Sequence, residues 1–144
     1  MWTATAALVC ALGVLNRSEA SMPRIEILDR PPAFVSTGAE AFVQRNPNII
    51  FIIASSEVVR DAVAPRGGCG DLFAVKKLAS ILIHEEAHLR YGDNEERAYY
   101  RQLITLIQLG LGPDSRVYRD VQLSMKAVLK ARKRNSPELV LATR

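Results

Sequence analysis

The chain has only two histidines, His84 and His88, four residues apart, with Glu85 directly after the first. On a helix, positions i and i+4 share a face, so both imidazoles can reach one metal ion. Glu85 lies one step round the helix and can touch a water held by that ion. This is the H-E-x-x-H pattern, whose mechanical content is two metal ligands and a general base. The bland alternative is a solvated helix face that happens to carry two histidines and several acids. The preceding run Leu78-Ala79-Ser80-Ile81-Leu82-Ile83 argues against it, because it is apolar nearly all round, as a buried helix is. Polar groups carried into such a helix need partners, and a metal ion would supply them.

A catalytic zinc takes three protein ligands and keeps one position open for water. With no third histidine, the remaining ligand must be a carboxylate. Glu95 and Glu96 are the nearest on the following predicted helix. Helical projection leaves both open: Glu96 lies at the centre of that helix's apolar face and Glu95 at its edge.

The stretch His84 to Gln102 resembles the gluzincin group of zinc metallopeptidases, which carry H-E-x-x-H on one helix and a glutamate ligand on a later one. In the thermolysin-like and aminopeptidase branches, a small residue commonly sits three after that glutamate and lets the helices approach. Here Ala98 stands three after Glu95, and Asn94-Glu95-Glu96-Arg97-Ala98 is similar to the aminopeptidase N-E-x-x-A pattern. The resemblance therefore implies Glu95 as the third ligand, with Glu96 as the alternate. Glu96 would then cap its helix or pair with Arg90 or Arg97. The spacer from His88 to Glu95 is shorter than in thermolysin-like enzymes. Tyr99 stands where those enzymes place an aspartate that partners the first histidine. Glu95, Ala98, Tyr99 and Gln102 also match an E-x-x-A-Y-x-x-Q run of minimal, uncharacterised bacterial proteins of this type.

The implied fold is α+β and zincin-like: a small β-sheet packed on the active-site helix, followed by two further helices. The implied chemistry is hydrolysis of peptide bonds in a peptide or protein substrate. Zinc on His84, His88 and Glu95 would lower the pKa of its water to about 7. Glu85 would take the proton and pass it to the leaving amine. Tyr91, Tyr99, Tyr100 and Arg97 are unranked candidates for stabilising the oxyanion. The competing expectation is a non-catalytic binding or regulatory protein retaining a metallopeptidase-like fold. A purely structural zinc site would need a fourth protein ligand, and the sequence offers no obvious one.

At 144 residues the chain fits one domain with a real core. Its 49% apolar and 24% charged content is ordinary for a globular protein. The net charge of +4 and pI near 9.3 are mild. The basic residues Lys126, Lys130, Arg132, Lys133 and Arg134 gather late without interleaved aromatics. That pattern reads as a solvated helix end, so no nucleic-acid partner is expected.

Residues 1–20 read as a signal peptide, implying export to the periplasm or beyond the cell. The apolar run Ala6 to Leu15 is too short for a stable membrane span, and Ser18-Glu19-Ala20 offers small residues for cleavage. No lysine or arginine precedes the run, and an ordinary N-terminal core helix is the alternative. With residues 1–20 removed, Cys69 is left without Cys10 and reads as a small buried residue at a turn. A latent form with the Cys69 thiolate on the metal is the sharper alternative. Residues 21–135 form the expected domain and 136–144 a loose tail.

The elements that must position the site follow from pattern. Ile25 to Leu28 reads as a strand stopped by Pro31-Pro32, with a second strand over Ala33 to Ser36. Ala39 to Arg45 is strand or helix. Ile49 to Ala54 is the strongest strand, and serves either as a sheet edge that pairs with an extended substrate or as a buried core strand. A short helix or loop follows to Ala62, then a flexible connection over Pro65 to Gly70. Asp71 caps a long helix that runs through both histidines and stops at Gly92. Asp93 with Glu96 forms a capping pair for the next helix, whose apolar face is Tyr99, Tyr100, Leu103, Leu106 and Ile107. A last helix starts at Asp114 or Ser115 and turns Val117, Val121, Met125 and Val128 inward.

Overall fold

The computed structural model describes residues 2–135, and the predicted tail 136–144 lies outside them. The chain is α+β. Helix α1 (Trp2–Leu15) leads through a short 3-10 turn (Glu19–Ser21) to β1 (Arg24–Leu28), β2 (Ala41–Gln44) and β3 (Ile49–Ile53). Helices α2 (Glu57–Asp61), α3 (Leu72–Tyr91), α4 (Glu95–Gln108) and α5 (Arg116–Asn135) follow.

The sheet order is β1-β3-β2. β3 runs parallel to β1, with Ile50 opposite Ile25, and antiparallel to β2, with Ile50 opposite Val43. Its β-branched run therefore occupies the centre of the sheet, where Ile50 and Ile52 are fully buried. Both of its edges are taken, so the expectation that Ile49–Ala54 offers an edge to substrate is corrected, and the strand belongs to the core. The strand expected over 33–36 is absent. Pro31 and Pro32 offer no backbone donors, and the Val35 N–H bonds the Pro32 carbonyl at 3.0 Å in a turn.

The main core joins Ala7, Leu8, Ala11 and Leu12 of α1 to Ile50 and Ile52, to Val58 and Val59 of α2, and to Val75, Leu78, Ala79 and Leu82 of α3. A second cluster (Leu103, Leu106, Leu111 and Val121) fastens α4 to α5. Of the apolar face expected on α4, Leu103 and Leu106 are buried while Tyr100 and Ile107 are exposed. Ala98, Gln102 and Thr105 are buried instead. The helix is covered on two sides, by α3 and α5, rather than along one stripe.

The segment expected as a leader is here α1, packed into the main core. Cys10 on α1 is joined to Cys69 by a disulfide. A lone Cys69 is expected only with residues 1–20 removed; with them in place the two cysteines are paired. The Cys69 sulfur is committed to Cys10 and is no metal ligand, and the residue is exposed rather than buried. The connection over 65–70 is held as well. Val63 bridges Cys69, and the Gly70 N–H bonds the Ala62 carbonyl at 2.9 Å. A Cβ on Gly70 would lie 2.6 Å from the Asp61 carbonyl oxygen, so only glycine permits this return of the chain. No helix among the described residues is long and apolar enough to cross a membrane.

Candidate metal centre

The site is built by two helices and the three-residue link between them. Asp71 starts α3 by accepting the Phe73 N–H at 2.9 Å. Gly92 ends it with φ of 91°, a conformation that strains other residues. Asn94 then caps α4, its Oδ1 accepting the Arg97 N–H at 3.0 Å. The predicted Asp93–Glu96 capping pair is thus corrected by one residue. The cap at Asn94 puts Glu95 at the first helical position and Glu96 at the second. Arg45, at the end of β2, braces the link by donating to the His88 carbonyl at 2.6 Å and pairing with Asp93 at 3.1 Å.

This geometry brings His84, His88 and Glu95 together. Glu95 Oε1 lies 3.1 Å from His84 Nε2 and 2.7 Å from His88 Nε2. The two Nε2 atoms are 3.2 Å apart. These three residues form a group that could hold a metal ion. Glu96 is exposed and outside the group. The partners expected for it are engaged elsewhere: Arg90 faces Glu86 at 3.8 Å, and the Arg97 guanidinium lies 3.7 Å over the Tyr91 ring.

Hydrogen bonds on the far side of each ring decide what the group wants. His84 Nδ1 faces Gln102 Oε1 at 2.8 Å, and His88 Nδ1 faces the Gly92 carbonyl at 3.0 Å. Both oxygens only accept, so each Nδ1 carries its proton. In the neutral rings each Nε2 is then a bare lone pair, aimed at its neighbour and at a carboxylate. Three acceptors within 3.2 Å of one another repel unless a cation joins them. A proton can serve. Burial alone would lower the pKa of His88, but the hydrogen bond and charge of Glu95, helped by the Gly92 carbonyl and Glu85, push it up. Burial would raise that of Glu95, but the bonds from His84 and His88 hold it well below the usual carboxylate range. A metal ion satisfies all three acceptors at once, and the donor set fits one.

Glu85 is buried, and its Oε2 has no hydrogen-bond partner. Burial pushes its carboxyl up, the two histidines pull it down by less, and Glu95 adds to the rise. The next acid behaves differently: Glu86 is equally buried but is paired with Arg17 at 2.8 Å. An orphaned carboxylate beside a ligand cluster is a poor structural device and a good proton acceptor.

Of the four candidate oxyanion donors, Tyr99 is at the site. Its ring meets that of His84 edge-on at 4.5 Å. Its phenol is pushed up to about 12 by burial and by Glu95, Glu40 and Glu85, so it keeps its proton. Tyr91 and Tyr100 are exposed, and Arg97 is spent on Tyr91. A cavity of about 740 Å³, with Glu40, Asp61, Lys77 and Arg116 among its lining, lies by the first turns of α3, and none of His84, Glu85, His88 or Glu95 lines it.

From sequence, no role is assigned to Ser80, to Arg45, or to Gln102 beyond its place in the E-x-x-A-Y-x-x-Q run. Gln102 and Ser80 support His84 from behind, and their helical spacing from Glu95 and His84 was a usable signal. Arg45 had none, since only the sheet brings β2 to the end of α3. The chain matches no protein-family model, no curated protein and no solved structure.

Proposed function

We propose that the chain is a zinc-dependent metallopeptidase of zincin-like architecture, with His84, His88 and Glu95 as the metal ligands and Glu85 as the general base. One observation carries this reading. Two imidazole Nε2 atoms and a carboxylate oxygen converge within 3.2 Å of one another, beside a buried carboxylate with a free oxygen. Ligand atoms about 2.0–2.1 Å from a tetrahedral zinc lie about 3.3–3.4 Å apart. The observed 2.7, 3.1 and 3.2 Å need to open by between about 0.1 and about 0.7 Å to reach that spacing. Among the described residues no fourth side chain joins the group, which supports a catalytic rather than a structural site.

When bound, the zinc supplies a Lewis acid for the peptide carbonyl and makes the attacking water more acidic. The residues do the rest. Glu85 takes the water's proton on its free oxygen and returns it to the leaving nitrogen. Its raised pKa brings it nearer neutrality, where a shuttle works in both directions. Tyr99, its phenol still protonated, donates a hydrogen bond to the developing oxyanion. β2 is an edge strand beside the site and can take an extended peptide as a further strand. The Cys10–Cys69 bond supports folding in an oxidising compartment outside the cytosol.

The test is metal analysis of the purified protein, then assay on casein and peptide libraries with and without chelator. One equivalent of zinc and chelator-sensitive cleavage are expected. A protein that binds no zinc, or cleaves equally well without it, ends the proposal.

A further inference from the structure

Behind His84, the side chains of Gln102 and Ser80 and the Lys77 carbonyl form a line. Ser80 precedes His84 by one helical turn, and Gln102 follows Glu95 by two, so each lies on the face of its own helix that carries a ligand. Both are buried, Ser80 completely. The Ser80 hydroxyl donates to the Lys77 carbonyl at 2.7 Å. Its proton is thereby spent, and toward Gln102 it can only accept. The group it accepts from, at 3.2 Å, is the Gln102 amide nitrogen. That contact fixes which way round the amide lies, since the oxygen in its place would face another acceptor. The amide oxygen is left pointing at His84 Nδ1 at 2.8 Å.

We propose that Gln102, oriented by Ser80, is the positioning residue that holds His84 as a metal ligand, a proposal that rests on the metal reading of the site. The Lys77 carbonyl sets the hydroxyl, the hydroxyl sets the amide, and the amide sets the proton on Nδ1. Nε2 therefore faces the ligand cluster as a lone pair before any metal arrives. An aspartate could do the same work with a negative charge. In this chain Tyr99 stands where the resemblance places such an acid, and a neutral amide from the next turn of α4 replaces it. A carboxylate has no wrong orientation and needs no Ser80; an amide does, and the serine is there.

Three variants test this: Gln102→Leu, Gln102→Glu and Ser80→Ala, each checked for its fold by circular dichroism. Two readouts are taken. Zinc affinity is measured by chelator competition. The His84 tautomer is measured by long-range proton–nitrogen NMR on the metal-free protein at alkaline pH. Wild type is expected to show Nδ1–H. Gln102→Leu should lose that preference and bind zinc about 10- to 100-fold more weakly. Gln102→Glu should restore both. Ser80→Ala should weaken zinc binding in the wild-type background and have little effect with Glu at 102. Should Gln102→Leu fail to fold, the Ser80 pair still decides. A Gln102→Leu protein with wild-type tautomer and affinity overturns the proposal, as does an equal Ser80→Ala loss in both backgrounds. If the tautomer depends on Gln102 but wild type takes up no zinc, the relay stands and the metal reading falls.

Discussion

The two halves of α3 are equally buried and chemically opposite. From Ala74 to Ile83 the buried residues are apolar apart from Ser80, and most of them join the core shared with α1, α2 and the sheet. From His84 to His88 the burial is just as deep, but four of the five side chains are polar or charged. In the first half, burial stabilises at about 25 cal/mol per Å² of apolar surface. In the second, burial costs free energy unless each group finds a partner. Glu86 finds Arg17, His84 finds Gln102 and His88 finds Gly92. Glu85 finds none for Oε2, and the two Nε2 atoms share one carboxylate oxygen. The first half holds the fold together, and the second spends part of that stability on a site that only a cation completes.

The sharpest way to break this contrast is Glu85→Gln. If Glu85 serves chemistry and not the fold, cleavage should fall by about 10²- to 10⁴-fold. Stability in urea should be unchanged or higher, because a buried, unpartnered carboxylate is gone. A destabilised variant with full activity would assign Glu85 to the core. The converse belongs to the first half. Leu82 is fully buried, and Leu82→Ala should lower the unfolding free energy by about 2–5 kcal/mol. The folded fraction should keep wild-type zinc affinity. Lost affinity in folded protein would show the two halves to be coupled rather than separate.

How much of this was legible beforehand depended on whether the information was local. The period of α3, its Asp71 cap and its Gly92 stop lie within twenty-odd residues, and they place both imidazoles on one face. The run at Ile49 announced a strand; which neighbours it would take was a matter of long-range pairing, and so its central position was not readable. Residues 33–36 looked like a strand in isolation, but two prolines set a turn instead. The apolar N-terminal run suits a leader and a core helix equally well by composition. Only the complementary face on α2 and α3, and the partner at Cys69, distinguish the helix that is seen. Around the site, Gln102 and Ser80 become visible once two helices are known to face each other. Arg45 and Arg17 reach it from 43 and 69 residues away and leave no spacing to read.

The carboxylate proposed as third ligand sharpens the contrast at its far edge. Glu95 and Glu96 are neighbours of the same type, but Glu95 meets both imidazoles and Glu96 is exposed. Glu95→Ala should weaken zinc binding by more than the roughly 10- to 100-fold typical of supporting residues. Glu96→Ala should leave it unchanged. The reverse result would move the ligand by one residue and rotate the start of α4 by about 100°.

The smallest effect is the pH dependence of the metal-free protein, and its sign separates the two halves of α3. The buried residues of the apolar half carry no ionisable group. In the polar half, Glu95 is held below its ordinary 4.5, so its contribution is present above that value and lost as pH falls through the lowered one. His88 is raised above 6.5, so its contribution is present below 6.5 and lost as pH rises through the raised value. Glu85 is raised above its ordinary 4.5, so the stability of its protonated form is present below 4.5 and lost as pH rises through the raised value. Urea midpoints in chelator should therefore fall on the acid side of 4.5 through Glu95, giving an acid limb, and on an alkaline limb first through Glu85, from 4.5 upward, and then through His88, from 6.5 upward. Zinc binds the deprotonated ligands, so adding it should lift the alkaline limb selectively and leave the acid limb, where protons compete, nearly as it was. Equal curves with and without zinc would mean that a proton, not a metal ion, is the cation that the three acceptors were built to share.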